Sequence, residues 1–339
     1  MMDGVDFDTT ALSAHLNHKI PGFGHFSTIK KFSNGQSNPT FLIETDQGRY
    51  VLRKQPSGPL LKSAHAVDRE YQVMQALAAS NIPVPKMRYL CEDTDILGSL
   101  FFVMDHVPGE IFWNATLPQY DTRQRGLIYQ QMNTILAALH DLNIDQLGLR
   151  EYGRPGNYFA RQIDRWTRQY RASETETISS MDELIHWLPE NLPDDDHQVS
   201  LIHGDFRIDN FIFDPVSLRA NALLDWELST LGHPFADLAY QCMQWRMDQN
   251  APIAGLGGVD RTRLGIPCES QYVVDYCDKR GMGSIPHWDF YLVFSFFRFA
   301  AILQGVMKRA IMGNASSTKA IQYGRMAPVL ADMAVDIIS

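Results

Sequence analysis

At 339 residues the chain is long enough for two domains, or for two lobes that share a cleft. It is 45% apolar and 20% charged, a globular composition, and its net charge of −9 argues against nucleic acid or an anionic membrane as partner. The four cysteines, Cys91, Cys242, Cys268 and Cys277, form no CxxC pair and lack zinc-ligand spacing, which argues against a disulfide framework or a structural zinc.

The start of the chain is acidic and carries no apolar signal core, so a reducing, cytoplasmic setting is expected. A polar loop with one glycine spans residues 34–39, and within it Gly35, Gln36, Ser37 and Asn38 could cover phosphates with N–H groups and hydroxyls. Strand-like runs at 40–44 and 49–54 flank Asp46-Gln47-Gly48, which has turn chemistry, so a hairpin is expected. Val67, Tyr71, Met74 and Leu77 recur at helical spacing, and Pro83 and Pro85 close that helix. The apolar run 100–104 reads as a buried strand leading into a short connector, 105–109.

Beyond the connector the chain reads as mostly helical. Ile128, Met132, Ile135, Leu139 and Leu142 make an amphipathic stripe, and 161–170 and 182–188 are weaker helix candidates. Residues 193–196 read as a solvated acidic loop. The most apolar stretch, 290–306, is interrupted by Arg298 and Gln304 and is short for a bilayer span of about 20 residues, so a buried helix is expected. The layout is a small β-rich lobe (1–104), a hinge (105–109) and a larger α-rich lobe (110–339).

Two acidic strand ends carry the chemistry. Leu201-Ile202-His203-Gly204-Asp205 is followed by Asn210, five residues after Asp205, and Ala222-Leu223-Leu224 ends on Asp225. An Asp, an Asn five residues on and an Asp after the next strand are how a kinase places a catalytic base and two magnesium ligands. Asp205 is therefore the candidate base for a substrate hydroxyl, and Asn210 and Asp225 are candidate Mg²⁺ ligands on adjacent strand ends. A lone Asp–Asn pair would read as turn chemistry; the fixed spacing with His203, Gly204 and Asp225 favours the site. Glu227 could add charge behind the metal, and His203 reads as structural. Asp237, at the start of a helix, reads as an N-cap or a bond to the catalytic loop.

Glu70 falls inside the apolar stripe of its helix, where a carboxylate needs a partner. Lys54 shares a strand face with Tyr50 and Leu52, so a Lys54–Glu70 ion pair that turns the lysine toward phosphates is expected, with Arg53 as its rival. Met104, Asp105 and Val107 would serve the adenine, through the Asp105 carbonyl and the Val107 N–H; a bare interlobe linker explains the same residues.

These motifs resemble the aminoglycoside phosphotransferase (APH) family over about residues 20–330, on Gly35 to Asn38, Val51-Leu52-Arg53-Lys54, Asp68-Arg69-Glu70-Tyr71, His203 to Asn210 and Asp225-Trp226-Glu227. The resemblance implies an α+β, bilobal protein-kinase-like fold: a small antiparallel-sheet N-lobe with one key helix and a larger, mostly helical C-lobe. It implies a Mg²⁺- and ATP-dependent small-molecule kinase, with GTP left open as donor. Residues 223–240 and 297–305 look like the kinase-like domain of acyl-CoA dehydrogenase family members 10 and 11, here expected without a dehydrogenase domain. A hydroxyacyl-CoA then becomes a candidate acceptor, with Arg298 and Asp237 as candidate substrate residues. Aminoglycosides, choline, sugars and homoserine remain alternative acceptors, and a non-catalytic nucleotide-binding scaffold is the alternative outside enzymes. The short gap between Asp225 and Asp237 leaves no room for an activation segment, which disfavours a protein substrate.

Overall fold

The structure is a computed structural model that describes residues 7–32, 38–56, 66–313 and 319–339. The N-terminal part contains α1 (Thr9–Lys19), β1 (Phe26–Lys31), β2 (Thr40–Thr45), β3 (Arg49–Lys54), α2 (Val67–Leu77), β4 (Met87–Cys91), α3 (Thr94–Leu97) and β5 (Phe101–Asp105). The C-terminal part begins with α4 (Thr122–His140), α5 (Tyr158–Ser173) and α6 (Ser179–Glu190). Four short strands follow: β6 (Ser200–Ile202), β7 (Phe211–Phe213), β8 (Ala220–Leu223) and β9 (Thr230–Gly232). The chain then runs through α7 (Phe235–Arg246), α8 (Arg261–Leu264), α9 (Glu269–Lys279), α10 (Trp288–Ile311), α11 (Ala320–Gly324) and α12 (Met326–Ile338).

The expected hairpin is β2–β3, closed where Thr45 N–H donates to Gly48 O at 2.8 Å. It sits in a five-stranded sheet of order β1-β2-β3-β5-β4, whose pairings are all antiparallel. Both faces of this sheet are covered. Val51, Phe102 and Met104 face α2 and join the main core, while Tyr50, Leu52, Phe101 and Val103 pack with α1 residues Leu12 and Leu16 in a second core. Helix α1 is absent from the sequence reading because its polar run shows only the Leu12–Leu16 pair; Asp8 caps it by accepting from Thr10 and Ala11 N–H.

The hinge is stapled to the helical lobe. Glu110 and Phe213 exchange backbone hydrogen bonds of 2.8 and 2.9 Å, and Asn221 donates to Pro108 O at 3.1 Å. Gly109 has φ +145°, and a side chain there would run into Phe213 O, so only glycine lets the hinge lie this close to β7.

In the helical lobe α4 starts on a reciprocal cap between Asp121 and Gln124. The apolar stretch predicted as a buried helix is α10, which lies against α12, α5 and α7 with most of its residues from Phe290 to Gln304 buried. The helix candidates 161–170 and 182–188 lie within α5 and α6. Strand β7, which follows Asn210, and β8, which leads to Asp225, pair antiparallel with Phe211 opposite Leu223, so Asn210 and Asp225 lie at adjacent strand ends. Strand β6, before Asp205, pairs with β9, whereas β8, before Asp225, pairs with β7.

Candidate active site

The loop after β6 places Asp205. Gly204 has φ +83°, and a Cβ there would lie 2.5 Å from Leu228 O, so the turn tolerates glycine alone. The buried ring of His203 spans the gap between the two strand ends: Nε2 bonds Leu224 O at 2.9 Å and Nδ1 accepts from Asp205 N–H at 3.2 Å. Both bonds form at once only in the tautomer protonated on Nε2. Asn210 closes the loop by donating from Nδ2 to Asp205 O at 2.8 Å and to Oδ2 at 3.2 Å. Its own carbonyl accepts from Leu224 N–H at 2.8 Å. That bond continues the antiparallel β7–β8 pairing and brings Asn210 beside Asp225.

Asp237 is wholly buried, and its carboxylate accepts from His203 N–H at 2.6 Å and Gly204 N–H at 2.8 Å, with His140 Nε2 3.4 Å away. Burial would raise this carboxyl, but the bonds from His140 and the loop hold it below its ordinary range. Asp237 is therefore spent on the loop and on His140. Arg298 is 6% exposed, lies over the rings of Trp166 and Tyr240, and donates to Gly204 O at 2.7 Å. Both residues brace the loop backbone. Tyr240, on α7, lies near the Asp205 carboxylate; burial, then that carboxylate, push the phenol upward. His140 and Tyr240 are missing from the sequence reading. His140 continues the stripe Ile128, Met132, Leu136 at intervals of four, which is the signal that could have found it.

An Asp237→Asn variant keeps the shape but has one acceptor oxygen for two loop N–H groups. The expected loss is about 1–3 kcal/mol of stability, read from the midpoint of urea unfolding.

Across the cleft the expected Lys54–Glu70 pair does not form. Arg53 Nε lies 2.9 Å from Glu70 Oε2, an ion-pair contact without good hydrogen-bond alignment, and Arg53 Nη2 reaches Asp225 Oδ1 at 2.6 Å and Glu227 Oε2 at 3.7 Å. Lys54 points to the other face of the sheet, 3% exposed, with Nζ 5.6 Å from the centre of the Phe7 ring. The physical reason is alternation: Arg53 shares its face with Val51, and that face meets α2. Glu70 is 2% exposed. Burial pushes its carboxyl up; Arg53 opposes this, and Asp225 and Glu227 add to the rise. The neighbouring Arg69 is engaged elsewhere, donating to Tyr152 O at 2.6 Å and lying over the Tyr152 ring, which ties α2 to the helical lobe.

Asp225 has φ +64°, a left-handed conformation that costs a non-glycine residue energy and that clusters at functional sites. Met104 is buried in the main core, Asp105 forms a two-point ion pair with Arg88 at 2.6 and 2.8 Å, and Val107 is half-buried at the hinge. Asn38 is buried just before β2; Gly35, Gln36 and Ser37 lie outside the described residues.

A loop Asp and Asn beside a strand-borne Arg paired with a helix-borne Glu is a phosphotransferase layout, and the comparisons agree with it. The profile of the phosphotransferase enzyme family, APH, matches residues 28–261. The chain belongs to this family. Among curated relatives, acyl-CoA dehydrogenase family member 10 of Mus musculus is 46% identical over 309 residues, covering 91% of this chain and 29% of its own length. Family member 11 of Homo sapiens is 41% identical over 336 residues, covering 98% of this chain and 43% of its own. The chain thus spans less than half of these relatives. A crystal structure from Ralstonia eutropha JMP134, described as a candidate aminoglycoside phosphotransferase, is 45% identical with a TM-score of 0.88 and 98% coverage of both chains. Aminoglycoside phosphotransferase APH(4)-Ia, in a complex with AMP-PNP and hygromycin B, shares the fold at a TM-score of 0.64 and 17% identity, covering 97% of this chain and 98% of its own. The APH assignment accounts for the bilobal, kinase-like α+β architecture described above.

Proposed function

We propose that this APH-family protein transfers the γ-phosphoryl group of ATP, with Mg²⁺, to a hydroxyl of a small molecule, and that a hydroxyacyl-CoA is the leading acceptor. One observation carries the reading: Asp205, held by His203 and Asn210, shares its loop with Asn210, which lies beside Asp225, and Arg53 from β3 bonds that Asp225. Asp205 accepts the hydroxyl proton. Arg53, oriented by Glu70, contacts the nucleotide phosphates, and the Asp105–Val107 connector holds the base.

Asn210 and Asp225 fit Mg²⁺. Asn210 spends its amide N–H on Asp205, which leaves Oδ1 as a donor, and Asp225 gives Oδ1 to Arg53 and retains Oδ2. Among the described residues no group of three or more His, Cys, Asp or Glu could hold a metal. Two hard oxygen donors suit Mg²⁺, which keeps waters and takes phosphate oxygens for the rest. When bound, the ion neutralises charge on the nucleotide phosphates. Glu227, 3.7 Å from Arg53, adds negative charge behind it.

The names of the curated relatives favour an acyl-linked hydroxyl. The acidic run at 194–196 gives little support to a polycation pocket, because Asp195 accepts from Asn157 N–H at 3.0 Å and Asp196 bonds His233 at 3.1 Å. Aminoglycoside phosphorylation is the second reading, favoured by the description of the 45% identical structure. A cytoplasmic setting is supported by four free cysteines, and a partner other than nucleic acid by the net charge of −9. The burial of α10 supports a reading without a membrane.

Thermal unfolding with nucleotide tests the proposal. At 100 times Kd, ATP with Mg²⁺ should stabilise by about 2.7 kcal/mol, a rise of several degrees. Chelation of Mg²⁺ should remove most of that rise, and GTP run in parallel tests the donor. An equal rise with and without metal would overturn the assignment of Asn210 and Asp225.

A further inference from the structure

A pocket lies beside the catalytic loop, lined by Trp113, Arg207, Asp209, Gln241, Gln244 and Trp245 among others. Its polar groups are unequally satisfied. Arg207 and Asp209 neutralise each other through a two-point ion pair of 2.9 and 2.7 Å. Gln241 is 2% exposed; its Oε1 accepts from Tyr272 Oη at 2.8 Å, which turns Nε2 away from Tyr272. Among the described residues the buried Nε2 atoms of Gln241 and Gln244 have no hydrogen-bond partner. A buried N–H without an acceptor costs free energy comparable to a lost hydrogen bond, so two on one pocket call for an occupant.

The position in the fold says which molecule supplies it. Tyr240, which lies near the Asp205 carboxylate, and Gln244 stand four residues apart on α7, on one face and about 6 Å apart along the axis. Arg207 and Asp209 belong to the segment joining Asp205 to Asn210. The pocket is therefore one helical turn from the candidate base, on the loop's helical side.

We infer that Gln241 and Gln244 form a specificity subsite that donates two amide hydrogen bonds to an uncharged carbonyl oxygen of the hydroxyl acceptor. This rests on Asp205 being the base. An anion would find no uncompensated cation, since Arg207 is paired. An ammonium group would meet N–H donors, so the subsite selects against cationic acceptors.

The probes are ω-hydroxy amides of graded length, the matched alkanols and the matched ω-amino alcohols. The readout is the ratio of kcat/KM between acceptors within one protein preparation, from which any loss of folded protein cancels. In the unaltered protein the best amide should exceed its alkanol by about tenfold per hydrogen bond, and amino alcohols should rank last. Gln244→Glu and Gln241→Glu each exchange a donor for an acceptor at constant shape. Each should erase about tenfold of the amide preference and raise the amino alcohols. An unchanged ranking, as for a pocket that holds only water, overturns the subsite. Calorimetric binding of the same probes separates the two readings: amide preference in binding without transfer would sink the phosphotransferase and sustain the subsite. Transfer without amide preference would do the reverse.

Discussion

Asp205→Ala is expected to lower phosphoryl transfer by roughly 10²- to 10⁴-fold while nucleotide binding persists. The carboxylate does little for stability. It is partly exposed, and its side chain takes a bond from Asn210, whose Nδ2 also bonds the Asp205 backbone carbonyl and keeps that partner once the carboxylate is gone. The loop backbone is held independently, by Asp237 on the His203 and Gly204 N–H groups and by Arg298 on Gly204 O. Removing the side chain therefore takes away a proton acceptor and leaves the loop in place. Asp205→Asn separates charge from shape: it preserves a partner for Asn210 but cannot accept the proton, so its rate should fall with that of the alanine variant. Rapid-mixing single turnovers against the best acceptor, alongside Mg²⁺-nucleotide titrations, measure both quantities. Full activity in purified Asp205→Ala would remove Asp205 from the mechanism.

How far such a site can be read without a structure depends on how local its parts are. Asp205, Asn210 and Asp225 lie within one short stretch, and their spacing alone sets them on a loop and a strand end. The hairpin, the buried strand β5 and the core helix α10 are legible because their turn chemistry or apolar runs are continuous in sequence. The braces are not. Arg298 comes from α10 to reach Gly204, and Asp237 from α7 to bond the His203 and Gly204 N–H groups. Asp237 could be read as a bond to the loop, yet nothing in its spacing separates that role from contact with a substrate. The pairing of β6 with β9 was equally hidden, since a three-residue strand carries no register. Strand β3 shows a sharper limit. Alternation says that Arg53 sits with Val51 and Lys54 with Leu52, but Val51 and Leu52 are both buried, in different cores. Periodicity sorts residues into faces and is silent on which face meets α2.

That ambiguity makes Arg53 and Lys54 the most discriminating pair to alter. Arg53→Met should weaken nucleotide binding and also destabilise the fold, because it leaves Glu70, 2% exposed, without its cation; breaking such a pair from one side costs about 3–5 kcal/mol. Adding Glu70→Leu removes the stranded carboxylate and should recover most of that stability, since an apolar replacement of both partners is often neutral. It should not recover nucleotide affinity, because the guanidinium proposed to contact the phosphates is still missing. Lys54→Met is expected to behave differently. Its ammonium lies over the Phe7 ring on the far side of the sheet, so methionine fills similar space and forfeits a cation–π contact worth about 0.5–2 kcal/mol. Nucleotide affinity in that variant should stay within a few-fold of the unaltered protein. Urea midpoints and nucleotide titrations on the three variants decide the matter. A Lys54→Met protein that no longer binds nucleotide, beside an Arg53→Met protein that does, would return the phosphate contact to Lys54 and make the Arg53 cluster a purely structural tie between the lobes.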